Sequence, residues 1–97
     1  MQFLIIAHDY KDGGLDRRLA IREEHITLGD QMKESGNFLY GVAMLDTEGE
    51  MKGSVMVMEY PSRKELDEWL AIEPYMVNNV WEKVEIIPCR VGPTFLK

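Results

Sequence analysis

The sequence predicts a single α+β domain in which strands and helices follow the order βαββαβ. Three observations predict it: four apolar runs of strand length, two longer segments whose apolar residues recur at helical spacing, and glycines and prolines between them. This order is the ferredoxin-like pattern, a four-stranded antiparallel sheet with two helices on one face. A chain of 97 residues has room for one hydrophobic core, so residues 1–97 are expected to form one domain.

The first strand and the first helix occupy the N-terminal part of the chain. Residues 2–8, "QFLIIAH", form a short apolar run whose length and Phe/Ile content favour a strand covered on both faces. After two consecutive glycines, Asp16 is expected either at the N-cap of a helix or in its first turn. This helix is predicted to continue to about Ser35, where Gly36 supplies its stop.

A β-hairpin is predicted next. Residues 37–46 and 53–60 are apolar segments that flank the polar sequence "TEGEMK". Gly49 within that sequence allows a tight turn, so the two segments are expected to pair as the second and third strands.

The second helix and the last strand complete the order. Ser62 and Glu65 form a capping box, and the apolar residues after them are spaced as on one face of a helix. Pro74 is expected to end this helix, because the residue before a proline is steered away from the α region. Residues 80–91 are predicted to form the fourth strand, in which Pro88 indicates a sheet edge or a bulge.

The second face of the predicted sheet lacks the alternation of a solvent-exposed surface. The sequences "FLIIA" and "VMVM" are apolar at consecutive positions, so both faces of the sheet need cover. A chain of this length buries only about 60–65% of its unfolded surface, so a subunit interface would stabilise it considerably. The sequence therefore predicts a homodimer packed sheet to sheet.

Composition and charge exclude several function classes. The net charge is -6 and no stripe of lysine and arginine offsets it, so nucleic-acid binding is not expected. The apolar stretch 3–7 is too short for a signal sequence, and no segment approaches the roughly 18 apolar residues of a membrane helix. Cys89 is the only cysteine, which favours a reducing compartment, and a cytoplasmic location is expected.

The predicted first helix carries a polar stripe within its apolar side. Arg18, Arg22, His25 and Gly29 are spaced three or four residues apart, so they are neighbours on one face. Buried charges need partner carboxylates or a water-filled pocket, and a mid-helix glycine costs about 1 kcal/mol relative to alanine. The stripe therefore indicates a binding pocket. In the alternative, the arginines extend past the sheet edge to solvent and His25 is a hydrogen-bonded core residue.

Nearly the whole sequence resembles the YciI-like family of YCII-related domains. The resemblance depends on six features in order: Arg22-x-x-His25, the helix stop at Gly36, Gly41, the pair Gly53-Ser54, an acid-Pro-aromatic triplet at 73–75, and Pro88. It implies a ferredoxin-like fold within a dimeric α+β barrel, and an active site built around a histidine and an aspartate. Some members of this family act in the breakdown of aromatic compounds, and the fold is similar to that of muconolactone isomerases.

Two positions depart from the family pattern. The family's active-site histidine corresponds to His25, but its Asp-Pro-Tyr/Phe triplet is Glu-Pro-Tyr at positions 73–75. Glu73 keeps the negative charge and is longer by one methylene. Val42 follows a glycine where the family usually has proline. The resemblance thus implies Glu73 as the carboxylate partner of the histidine.

A histidine paired with a carboxylate suits proton transfer. Imidazole both accepts and donates a proton near neutral pH, and a carboxylate on its far nitrogen fixes the tautomer. The planar guanidinium of Arg18 or Arg22 would hold a carboxylate or an enolate oxygen of the substrate. Tyr75 is a further candidate for binding the substrate. The polar pair His8-Asp9, at the end of the first strand, is expected either at the mouth of the same pocket or in plain contact with solvent.

Three functions remain open at this point. The first is a cofactor-free enzyme with isomerase- or lyase-like chemistry on a small, anionic molecule, for which aromatic-derived compounds are one candidate class. The second is a non-catalytic ligand-binding or accessory homodimer. The third, by fold analogy alone, is a cofactor-independent monooxygenase of the dimeric α+β barrel type. No metal is expected, because the two histidines lack the spacing of metal ligands.

Overall fold

The computed structural model describes residues 1–96 and contains the six predicted elements, with two short helices in addition. The elements are β1 Gln2–Asp9, α1 Gly14–Glu34, β2 Phe38–Leu45, β3 Met51–Glu59, α2 Arg63–Ile72, α3 Pro74–Val77 and β4 Trp81–Cys89, with a 3₁₀ helix at Pro93–Leu96. The prediction of an α+β domain with βαββαβ order is therefore confirmed.

The four strands form one antiparallel sheet with the order β2-β3-β1-β4. β1 lies inside the sheet, where Ile5 is opposite Met56 on β3 and Ile86 on β4. β4 pairs only with β1 and is therefore an edge strand. Of the two predicted explanations for Pro88, the edge is the one observed: proline cannot donate to a ladder, and β4 has a partner on one side only.

The hydrophobic core lies between the sheet and the helices. Alternate residues of β1, namely Phe3, Ile5 and Ala7, are buried because successive side chains of a strand point to opposite faces. Leu66 and Trp69 of α2 are also buried in this core.

No helix within residues 1–96 is both long enough and apolar enough to span a membrane.

The ends of α1 follow local backbone chemistry. The helix begins at Gly14 after Gly13, whose φ is 78°, and Asp16 lies in the first turn rather than at the N-cap. At the other end Gly36 has φ 86°, a left-handed conformation that glycine adopts readily, so the predicted stop is confirmed. The apolar side of α1 is narrower than the sequence suggests, because Leu19 remains 54% exposed.

Pro74 both ends one helix and begins the next. As predicted, α2 ends at Ile72, but α3 then starts at Pro74, which the sequence analysis missed. Proline is accepted in the first position of a helix because its missing N–H has no intrahelical acceptor there. Glu73 caps this short helix, since its side chain accepts a hydrogen bond from the Tyr75 N–H at 3.1 Å.

The sheet face opposite the helices is apolar and largely unprotected. Leu4 and Ile6 of β1 are only half-buried on this face. Tyr40 on β2 and Ile87 on β4 are 68% and 45% exposed. We call this surface, formed by Leu4, Ile6, Tyr40, Val42, Val55, Val57 and Ile87, the open face.

Candidate active site

A small cavity lies between α1 and the sheet, close to α3. Its volume is about 190 Å³, and we call it the inner cavity. The polar side chains that line it come from α1, β3 and α3: Arg18, Arg22, His25, Ser54 and Tyr75. The apolar part of the wall includes Phe38 and Met56. The arginine and histidine stripe of α1 therefore faces a cavity.

His25 and Glu73 are in direct contact. The Nδ1 atom of His25 lies 2.5 Å from Oε1 of Glu73, and the side chains are 17% and 2% exposed. The extra methylene of glutamate therefore does not prevent the contact, because Glu73 lies at the junction of α2 and α3 and its carboxylate turns back toward α1. Within residues 1–96, Nδ1 makes the one hydrogen bond of this imidazole, which leaves Nε2 without a protein partner.

Two aromatic rings hold the imidazole in place. The ring of Tyr75 stacks on His25 with centroids 3.8 Å apart and an interplanar angle of 8°. Trp81 meets the same imidazole nearly edge-on, at 6.2 Å and 82°. Tyr75 is itself only 1% exposed. Stacking and the hydrogen bond to Glu73 together restrict rotation of the imidazole and thus pre-orient it.

Arg18 is buried, and two nitrogens of its guanidinium, Nε and Nη2, donate hydrogen bonds to neighbouring side chains. Its Nε and Nη2 donate to the two carboxylate oxygens of Asp9, at 2.7 and 2.9 Å, and Nη2 also donates to Oγ of Ser54 at 2.8 Å. The guanidinium carbon lies 4.6 Å from the centroid of the Tyr75 ring. A bidentate pair of this kind offsets the desolvation of a buried charge and fixes the arginine geometrically.

Sequence reasoning considered Asp9 only together with His8, at the pocket mouth or in solvent, and did not assign Ser54 to the site. Asp9 and Ser54 both lie on the helix-facing side of the sheet, where β1 and β3 run side by side. The buried arginine was the available signal, since it required a carboxylate partner. Sequence alone could not identify that partner, because the pairing depends on which face of β1 Asp9 occupies.

Arg22 lines the inner cavity from a more exposed position, one turn along α1 from Arg18. Among the residues that the structure describes, no carboxylate lies within ion-pair distance of it. Its charge is therefore available to an anion at the mouth of the cavity.

His8 is not brought to the inner cavity. Its side chain lies on the opposite face of the sheet, because it follows the buried Ala7 in a strand whose side chains alternate. There its Nε2 lies 3.3 Å from Oε2 of Glu85, and both side chains are more than 40% exposed, at 47% and 42%. The neighbouring Asp9 is the β1 residue that reaches the site.

Charges around the cavity act on Tyr75. Burial raises the pKa of its hydroxyl, the positive charges of Arg18 and Arg22 lower it, and the negative charge of Glu73 raises it; the net effect is a raised pKa. The hydroxyl therefore stays protonated at neutral pH and is able to donate a hydrogen bond.

Within residues 1–96, no three His, Cys, Asp or Glu side chains cluster as a metal site would require.

Tyr60, which lies in the core near Glu73, gives the fold a dependence on alkaline pH. Burial, with a further contribution from the charge of Glu73, raises the pKa of Tyr60 from 10.0 to about 12. Because the folded state holds the phenol neutral, its contribution to stability is fully present below pH 10 and is lost as pH rises from 10 to about 12. We expect the urea midpoint to fall over this range, and to fall less steeply in Tyr60→Phe.

The matched control for that measurement is Tyr10→Phe, since Tyr10 follows the end of β1, is only half-buried and lies outside the open face. Its urea midpoint should follow the wild-type pH dependence. Identical slopes for the wild type and Tyr60→Phe would show that this phenol is not the group responsible.

Comparison with known sequences identifies relatives over almost the full chain. The family model of the YCII-related domain matches residues 1–90. Two curated relatives, both called Protein YciI, come from Escherichia coli and Shigella flexneri. Each is 26% identical over 96 residues, which cover 93% of this chain and 97% of the relative.

Comparison with solved structures shows the same fold. The 5-chloro-2-hydroxyhydroquinone dehydrochlorinase from Burkholderia phenoliruptrix, solved in complex with 2,5-dihydroxybenzoquinone, has a TM-score of 0.85 at 20% identity, covering 97% of this chain and 98% of that chain. An antibiotic biosynthesis monooxygenase has a TM-score of 0.56 at 18% identity, covering 96% of this chain and 100% of that chain. At these identities the likeness concerns the fold.

Proposed function

Because the chain belongs to the YCII-related domain family, we propose that it is a cofactor-free enzyme that transfers protons on a small, anionic molecule. The inner cavity is the proposed binding site, and aromatic-derived ring compounds are the proposed substrate class. The reaction is isomerase- or lyase-like, with His25 as general acid and base and Glu73 as its partner.

The single observation that carries this proposal is the contact between Nδ1 of His25 and Oε1 of Glu73. A carboxylate on Nδ1 favours the tautomer in which Nε2 is the free base, and it stabilises the imidazolium once a proton has been taken. The stacked Tyr75 keeps the ring in that orientation. Nε2 would therefore remove a proton from a carbon next to a carbonyl group of the bound substrate.

The negative charge formed in that step would develop on the carbonyl oxygen, as an enolate. The guanidinium of Arg22 and the hydroxyl of Tyr75 supply positive charge and a hydrogen-bond donor on the cavity wall. The proton on Nε2 then returns to a different carbon in an isomerisation, or protonates a leaving group in an elimination. The existence of a dehydrochlorinase with the same fold supports the second reaction, the elimination.

The proposal is tested by a binding and turnover screen. A panel of cyclic carboxylates, lactones and hydroxyquinones is screened by thermal shift, since a ligand at 100 times its Kd adds about 2.7 kcal/mol to stability. Compounds that bind are then tested for turnover by the wild type and by His25→Gln. We expect turnover to fall by about 10²–10⁴-fold in the variant.

The matched control is His8→Gln, which removes the other histidine on the far side of the sheet. It should retain wild-type turnover. If His25→Gln also retained it, the acid-base role would be wrong. If ligands bound but the wild type turned over none of them, the non-catalytic binding protein would be the correct function.

We also propose that the protein is a homodimer in which the open face is covered by the open face of a second copy. The exposed apolar side chains of this face, with Ile87 at 45%, support the proposal. A charge within such an interface is costly to bury, so Ile87→Asp should weaken dimerisation by about 100-fold or more. Sedimentation should give twice 11.2 kDa for the wild type and 11.2 kDa for the variant at micromolar concentration.

Ile72→Asp is the control for this experiment, because Ile72 is 63% exposed at the end of α2, away from the open face. It should remain dimeric. A wild type that sediments as a monomer would contradict the proposed dimer.

We further propose a cytoplasmic location. The lone Cys89 supports it, because reducing compartments do not select for paired cysteines. Fractionation of cells that express the chain with a C-terminal tag should recover it with cytoplasmic markers, and recovery with a secreted fraction would contradict the proposal.

A further inference from the structure

A second space opens beside His25, on the other side of an aromatic ring. This outer groove has a volume of about 330 Å³ and lies between α1 and the beginning of β2. Residues that line it but not the inner cavity are Gly29, Asp30, Lys33, Leu39 and Tyr40. Four residues line both spaces: His25, Ile26, Phe38 and Gly41. The histidine is thus accessible from two sides.

Phe38 spans the gap between the helix and the sheet, and a glycine on β2 makes room for it. A methyl group added to Gly41 on β2 would lie 2.6 Å from Cζ of Phe38, which is too close for any real contact. A methyl group added to Gly29 on α1 would lie 3.4 Å from Cε2 of the same ring. The ring therefore requires the glycine on β2, whereas a methyl group at Gly29 would make an ordinary van der Waals contact with it.

We propose that Phe38 is a specificity-determining wall that limits the length of the ligand in the inner cavity. An apolar cavity of about 150 Å³ holds benzene, so the 190 Å³ of the inner cavity suits a single ring. In the direction of the outer groove a second ring has no room unless Phe38 moves, because that groove begins behind its ring. The inference rests on the proposed function in one respect, that the inner cavity binds the substrate.

The charges in the two spaces set the direction in which a longer ligand would lie. Arg22, whose charge has no carboxylate partner among the described residues, lines the inner cavity and would hold an anionic group there. The outer groove has an apolar wall from Ile26, Leu39 and Tyr40, and its two charged residues, Asp30 and Lys33, are of opposite sign. Removing the ring of Phe38 would join the two spaces, so an anion with an apolar extension would then fit past His25 into the outer groove.

The test compares two probes that share a carboxylate and differ in length: benzoate and biphenyl-4-carboxylate. Calorimetric titration measures the Kd of each for the wild type, Phe38→Ala and Phe38→Leu. We expect the wild type to prefer benzoate. In Phe38→Ala the ratio of the two Kd values should move toward the biphenyl compound by about tenfold or more, since small changes in the volume of a pocket have effects of this size.

Phe38→Leu retains most of the apolar contact with the core, so it replaces Phe38→Ala if that variant fails to fold. Its ratio of the two Kd values should lie between those of the wild type and Phe38→Ala. Leu19→Ala is the matched control, because Leu19 is an apolar residue of α1 that is 54% exposed and lines neither the inner cavity nor the outer groove. It should keep the wild-type ratio, and a shift there equal to that of Phe38→Ala would contradict a specific wall.

Three results would overturn the inference: wild-type binding of both probes with equal affinity, wild-type binding of neither, or an unchanged ratio in both Phe38 variants. Failure of the proposed chemistry is distinguishable from these. It would appear as unimpaired turnover in His25→Gln, whereas the preference for ligand length depends on binding alone.

Discussion

Arg18→Ala is expected to destabilise the folded protein by about 3–5 kcal/mol, the cost of removing one partner from a buried ion pair. The variant leaves Asp9, whose side chain is 4% exposed, without a counter-charge inside the protein. It also removes the donor to Ser54. Urea unfolding followed by circular dichroism measures the effect, which is a large fraction of the stability of a small domain.

The control for this prediction is another arginine of the same chain. Arg63 pairs with Asp67 at 2.8 Å, but the two side chains are 54% and 53% exposed. Exposed pairs contribute about 0–1 kcal/mol, so Arg63→Ala should have a small effect. The double variant Arg18→Met with Asp9→Leu should recover much of the lost stability, because it removes both charges together. Equal losses in Arg18→Ala and Arg63→Ala would contradict this account of the buried pair.

Glu73→Gln is expected to lower turnover by about 10²–10⁴-fold while leaving the fold in place. Glutamine has nearly the same shape and keeps an oxygen that accepts the Tyr75 N–H, so α3 remains capped. It lacks the negative charge, so it neither selects the Nδ1–H tautomer as strongly nor stabilises the imidazolium. The value of kcat, measured on a substrate from the screen, should fall far more than the affinity for that substrate changes.

Glu68→Gln supplies the comparison, because Glu68 is an exposed carboxylate on α2. It should have wild-type kcat and wild-type stability. Unchanged kcat in Glu73→Gln would show that the carboxylate is structural. A loss of kcat that merely follows a loss of folded protein, seen by circular dichroism, would lead to the same conclusion.

Much of the fold follows from local chemistry that the sequence displays directly. Gly36 ends α1 because a left-handed residue is needed there, and Pro88 lies on an edge strand because it lacks an N–H. The polar stripe on α1 indicated a pocket because Arg18 and His25 have no place in an apolar core without partners. These predictions require only knowledge of neighbours along the chain.

The parts that sequence reasoning missed depend on contacts between distant segments. The alternation of β1 determines that Asp9 rather than His8 meets α1, and a shift of one residue reverses that choice. α3 was missed because Pro74 was considered only as the end of a helix. The position of the Phe38 ring depends on Gly41 of β2, and the ring also lies against Gly29 of α1. No local pattern indicates that these two glycines lie against the same ring.

In the proposed active site, His25 is held by Glu73 and presents Nε2 to a molecule in the inner cavity. This arrangement can be observed by nitrogen-15 NMR of the imidazole at a pH where the ring is neutral. We expect a proton on Nδ1, hydrogen-bonded to the carboxylate, and an Nε2 signal that shifts when saturating benzoate is added. A neutral ring with its proton on Nε2, or an Nε2 signal that the bound ligand leaves unchanged, would show that His25 does not present Nε2 to the ligand.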